Sequence, residues 1–170
     1  MSTKSNIIFY EEMKIKTMDF YKSINIKVKE NKISLAITSL TMPQYEKEYN
    51  DKINNEINSG LKNEKDMIKC NNALATVGDA ICGAYLMIEK FDTKYTMEEL
   101  TALKETVTNE NLNIIGKKLL ENHLFFSNND LDDINKKSYA TAFEAVVGFI
   151  TLNNKVDVIK FLDEYLKDYK

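Results

Sequence analysis

The sequence predicts an all-α fold, and three observations predict it. One proline and five glycines in 170 residues are too few to punctuate a sheet of many short strands, but they suit long helices joined by polar turns. Apolar residues recur at three- and four-residue spacing over several stretches. A helix-start signature, Thr96-Met97-Glu98-Glu99, opens one of them. One domain is the default at this length, with 44% hydrophobic residues to fill its core.

Residues 7–21 carry Ile7, Ile8, Phe9, Met13, Met18 and Phe20, a roughly amphipathic helical pattern. Ile24-Asn25-Ile26-Lys27-Val28 alternates apolar with polar and reads as a short strand or an extended linker. Residues 33–42 are compact and apolar and end at Pro43. Residues 44–67 are dense in Lys, Glu and Asn, with Ile53, Ile57, Leu61 and Met67 as a thin stripe. They read as a solvated helix or helix pair, the first closed by Gly60.

The clearest periodicity is Leu74, Val77, Ile81, Ala84, Ile88 and Phe91, which predicts a helix burying that face. Thr96 as N-cap and Glu99 as its reciprocal partner start a helix through Leu103 and Val107. Another follows from about Asn109, with Leu112, Ile115, Leu119 and Leu120 toward the core. After the polar turn Ser127-Asn128-Asn129-Asp130, residues 138–152 predict a helix with Ala142, Phe143, Val146, Val147 and Ile150 apolar. The last, over residues 156–169, buries Val158, Ile159, Phe161, Leu162, Tyr165 and Leu166. No internal repeat and no linker rich in Pro, Gly or Ser divides the chain.

Composition excludes some functions. No run of about 18 apolar residues exists, so a membrane span is not expected. The N-terminus lacks the regions of a signal peptide. Two cysteines, Cys70 and Cys82, make no disulfide framework, which fits a reducing cytoplasm, and they are too isolated to ligate zinc. All 23 basic residues are lysine. Any phosphate contact must therefore come from lysine, hydroxyls or backbone N–H groups rather than arginine's planar fork. Residues 1–70 carry 12 lysines against 10 acids, and residues 71–170 carry 11 against 16. A nucleic-acid-binding surface is normally basic, so composition alone argues mildly against one.

Two acids, Asp79 and Glu144, sit inside strongly apolar helical stretches. Carboxylates are rarely buried without a partner. Gly78 and Gly83 flank Asp79, and Gly148 lies one turn beyond Glu144. Small neighbours would let two helices approach until the carboxylates share one cation. The alternative is that each acid lies at its helix's polar edge and faces water. His123, beside Leu124-Phe125-Phe126, reads as a packed or capping histidine, since nothing supplies the rest of a triad or zinc site.

Asn71-Asn72-Ala73-Leu74-Ala75-Thr76-Val77-Gly78-Asp79-Ala80 resembles the first signature of the ribonuclease III family. Residues 100–112 are similar to that family's next helix pair. Tyr139-Ala140-Thr141-Ala142-Phe143-Glu144-Ala145-Val146-Val147-Gly148-Phe149-Ile150 resembles its second signature, and Ser34-Leu35-Ala36-Ile37-Thr38-Ser39-Leu40 is weakly similar to its opening helix. The resemblance covers roughly residues 30–168. At both signatures it is nearest the mini-ribonuclease III branch, although that branch's Arg-Gly-Arg-Asn segment is missing and the N-terminus is longer.

The resemblance implies a nuclease domain over residues 31–170 with an N-terminal extension over 1–30 and no double-stranded-RNA-binding domain. It implies a homodimer with the Asp79 helix near the two-fold axis, acting on double-stranded or structured RNA with Mg²⁺, or Mn²⁺ in its place. Asp79 and Glu144 would be the metal-ligating and catalytic residues. Ala75 and Thr141 stand where the family usually adds two more carboxylates, and Asn72 replaces another commonly acidic position. Two of the usual four ligands are present. A non-catalytic RNA-binding or assembly module is the competing expectation. Candidate phosphate contacts are Lys104, Lys117, Lys118, Lys136 and Lys137.

Overall fold

The computed structural model describes residues 8–60, 66–89, 91, 94–105, 109–127 and 138–166, the side chains of 103–105 and 109 excepted. Within them are eight α-helices and one short 3₁₀ turn, Glu30–Lys32. The helices are α1 (Tyr10–Ser23), α2 (Ile33–Leu40), α3 (Pro43–Asn58), α4 (Asn72–Glu89), α5 (Met97–Glu105), α6 (Asn109–Leu120), α7 (Tyr139–Asn153) and α8 (Lys155–Tyr165). The all-α expectation holds: strand-like pairing among the described residues is one isolated bridge between Thr41 and Phe125. Leu61, Val107, most of the turn after Ser127, Lys136, Lys137 and Tyr169 lie outside the described residues, as do the side chains of Leu103 and Lys104.

α7 is the axis of the fold. Its residues are apolar almost all round, and twelve are buried, from Tyr139 to Asn153. A helix apolar on every face must be covered on every face. α2, α4, α6 and α8 supply the cover. α1 buries Met13, Thr17, Phe20 and Tyr21, and the Tyr21 ring meets Phe149 of α7 at 4.6 Å. The alternating segment after α1 is an extended linker, with Ile26 and Val28 buried and Lys27 exposed. Asn153 anchors it as a strand neighbour would, donating to the Lys27 carbonyl at 2.9 Å and accepting from the Lys29 N–H at 3.0 Å.

The other boundaries follow local chemistry. Pro43 begins α3 at a position where its missing N–H costs nothing. α3 is a single helix, and its buried stripe is Tyr45, Tyr49 and Ile53 rather than a continuation through Met67, which is exposed. The capping box forms: the Thr96 N–H donates to Glu99 Oε2 at 2.7 Å, and the Glu99 N–H donates to Thr96 Oγ1 at 3.2 Å. Asn154 caps α8 through its side-chain oxygen, 3.1 Å from the Val156 nitrogen. His123 packs against Phe20, ring centroids 5.0 Å apart.

Two expectations of burial are overturned: Ile159 is 50% exposed, off the face on which α8 buries Val158, Phe161 and Leu162, and α4 turns its predicted side outward. α4 does not bury the Val77, Ile81, Ala84, Ile88 and Phe91 face. It buries Leu74, Ala75, Gly78, Cys82, Gly83, Tyr85 and Leu86, while Ile88 is 73% and Phe91 59% exposed. The helix has two apolar faces, and the one bearing glycines is the one α7 can approach closely. The other forms an apolar groove of about 380 Å³ with Leu100 of α5, lined by Ala84, Met87, Ile88 and Phe91.

Candidate active site

α4 and α7 cross with backbone against backbone. A Cβ at Gly78 would overlap the Glu144 carbonyl oxygen, and one at Gly148 would overlap the Leu74 carbonyl oxygen. Only residues without side-chain bulk permit this approach, and it sets the separation of the two acids. Asp79 follows Gly78 on α4 and is exposed, whereas Glu144 is 9% exposed. The Glu144 carboxyl is pushed up to about 7, first by its burial and then by the negative charge of Asp79. The two acids therefore lie near enough for the charge of Asp79 to act on Glu144, while Asp79 itself is open to water.

Cys82, one turn beyond Asp79, belongs to the same neighbourhood. Burial pushes its thiol up, and the charges of Glu144 and Asp79 add to that. The isolated spacing of Cys70 and Cys82 in sequence gives no sign of this proximity. A thiol held protonated is a poor metal ligand. Among the described residues no group of three or more His, Cys, Asp and Glu side chains is placed to hold a metal ion.

Two carboxylates remain as the donor set. Among the described residues no ion pair reaches either acid; the pairs there, Lys14–Glu11 and Lys16–Glu12, both lie on α1. Neighbouring hard oxygen donors fit Mg²⁺, which keeps several waters and often takes only one or two protein carboxylates. Ala75, one turn before Asp79, is buried, and Thr141, before Glu144, is half-buried; neither adds a charge. Asn72 is exposed at the start of α4, and Lys117 and Lys118 are exposed in the last turn of α6.

No protein-family model and no curated protein matches the sequence. The solved structures give a match. The nuclease domain of ribonuclease III from Campylobacter jejuni aligns with a TM-score of 0.61 at 17% sequence identity, covering 87% of this chain and 96% of that one. The fold is that of a ribonuclease III nuclease domain. That structure is described as flexible in the region involved in dimer formation. The fold is thus the one the sequence signatures implied, and the α4–α7 crossing carries the acid from each signature. Among the described residues no helix is long and apolar enough to cross a membrane.

Proposed function

We propose that the protein is a Mg²⁺-dependent endoribonuclease that hydrolyses phosphodiester bonds in double-stranded or structured RNA, leaving 5′-phosphate and 3′-hydroxyl ends. The observation that carries this reading is the α4–α7 crossing of a ribonuclease III-like fold, where Gly78 meets the Glu144 backbone and the charge of Asp79 reaches the Glu144 carboxyl. Asp79 and Glu144 would hold the ion, one carboxylate from each helix, with Mn²⁺ able to take its place. The chemistry a bound Mg²⁺ supplies is polarisation of the scissile phosphate and a lowered pKa for the attacking water. Asp79 is open to substrate. Glu144 is recessed and must release the proton it holds near neutrality before it can ligate. The glycine contacts keep the two at a fixed separation.

The same reading makes the protein a homodimer. The exposed apolar face of α4, with Met97 and Leu100 of α5 beside it, is the surface a second copy would cover. Pairing there would bring two centres to one valley for a duplex. The nuclease domain is read as residues 31–170, nearest the mini-ribonuclease III branch, with residues 1–30 an extension whose α1 docks on it. Free cysteines fit a reducing cytoplasm.

One observation favours a non-catalytic RNA-binding or assembly module instead: Ala75 and Thr141 leave the donor set short of the family's usual carboxylates. A cleavage assay on structured RNA with Mg²⁺ decides between them. Wild type should cut and Asp79→Asn and Glu144→Gln should not. Equal activity in all three, or none in wild type, rejects the nuclease reading.

A further inference from the structure

Asn113 of α6 caps a helix to which it does not belong. The first N–H groups of any helix lack intrahelical partners. Ser138, ahead of α7, provides no side-chain cap. Asn113 Oδ1 accepts instead from the Tyr139 N–H at 3.1 Å and the Ala140 N–H at 3.3 Å. Three residues on, Gly116 meets the same turn: a Cβ there would overlap the Tyr139 carbonyl oxygen and lie 3.3 Å from Phe143 Cβ. α6 therefore grips the first turn of α7 by its donors and by its carbonyl. Glu144 follows Tyr139 by five residues, about 7.5 Å along the helix.

The far end of α7 has a clamp of the same kind. Asn153 makes two side-chain bonds to the backbone of Lys27 and Lys29, which belong to the linker and not to the acid pair's surroundings. The two clamps match in residue type and number of bonds but differ in what they hold.

We propose that Asn113 is a positioning residue for Glu144, fixing the height at which its carboxylate meets Asp79 and so the cation affinity of the pair. The inference rests on the reading of Asp79 and Glu144 as Mg²⁺ ligands. A metal held by few protein ligands depends on their placement, and groups that orient such ligands change affinity about 10- to 100-fold when removed. Without the Asn113 acceptor, two N–H groups at the start of α7 lose their partner and the turn leading to Glu144 loosens.

The test titrates Mg²⁺ into the full chain and reads half-saturation from the thermal unfolding midpoint. Asn113→Ala should raise half-saturation about tenfold, and Asn113→Asp, which keeps an acceptor at the same reach, should restore it to within about twofold. Asn113→Gln, with the acceptor displaced by one methylene, should behave like alanine and serves if the alanine variant does not fold. Asn153→Ala should lower the midpoint without Mg²⁺ but leave half-saturation where it was. An unchanged value in both Asn113→Ala and Asn113→Gln, or an equal shift in Asn153→Ala, overturns the proposal. A wild-type midpoint indifferent to Mg²⁺, matched by Asp79→Asn, removes the ligand reading itself and the positioning role with it.

Discussion

Gly78 of α4 lies so close to Glu144 of α7 that a Cβ at position 78 would overlap the Glu144 carbonyl oxygen and sit 2.9 Å from its Cα. The neighbour is backbone inside a buried helix and cannot step aside. Gly78→Ala should gain about 1 kcal/mol in helix propensity but lose more by forcing the two helices apart. A net destabilisation of about 2 kcal/mol or more is expected in urea unfolding. RNA cleavage should fall under conditions where the variant is still folded, because the acids separate with the helices. A variant more stable than wild type would mean the crossing is looser than described.

The buried carboxyl gives a pH dependence with a definite sign. Glu144 has an ordinary value of 4.5 in the unfolded chain and about 7 in the folded one. Its contribution to stability is fully present below about pH 4.5 and lost as the pH rises through about 7, since the native state keeps a proton the unfolded state has released. The loss is on the order of 3 kcal/mol at most. In chelator-treated protein the urea midpoint should therefore fall between about pH 5 and about pH 8, and Glu144→Gln should remove most of that fall. Mg²⁺ should restore stability at the upper pH and have little effect at the lower. A Glu144→Gln variant with the wild-type slope would rule out this carboxyl as the source.

The exposed face of α4 predicts an assembly. Ile88 and Phe91 are 73% and 59% exposed, beside a groove of about 380 Å³ that is mostly apolar. Neither packs inside the subunit, so Ile88→Glu and Phe91→Glu should change monomer stability by no more than about 0.5 kcal/mol. Placed in an interface, each glutamate would be desolvated without a partner. Light scattering should find wild type as a dimer and either variant as a monomer. A monomeric wild type would leave this face without the proposed partner.

That face also shows where periodicity stops being informative. Val77, Ile81, Ala84 and Ile88 gave the strongest helical pattern in the chain, and the helix is where they placed it, but its buried side is the one with Gly78, Cys82 and Gly83. Spacing identifies an apolar face; it does not say whether the cover comes from the same chain. Asp79 and Glu144 were legible because acids inside apolar helices require a reason, and flanking glycines suggested close approach. Cys82 was not, because its proximity to Glu144 depends on the crossing and not on its neighbours in sequence. Asn113 was hidden for the same reason: its partners, Tyr139 and Ala140, are 26 and 27 residues away. Tyr45 and Tyr49 escaped notice among lysines and glutamates, although they stand two turns and one turn before Ile53 and complete its stripe.

The absence of arginine makes the RNA contact testable by salt. Lys117 and Lys118 are exposed in the last turn of α6, on the helix whose Asn113 grips the start of α7. A lysine binds phosphate as a hydrated point charge and not as a planar fork, so its contribution comes largely from released counterions. Replacing either with alanine should weaken binding about equally for every duplex sequence and reduce the slope of log affinity against log salt by about one. The double variant should reduce it by about two, with the urea midpoint unchanged, since both side chains lie outside the core. Filter binding at several salt concentrations, with Mg²⁺ replaced by a chelator to prevent cleavage, measures this directly. A slope unaffected in the double variant would place the duplex away from the end of α6.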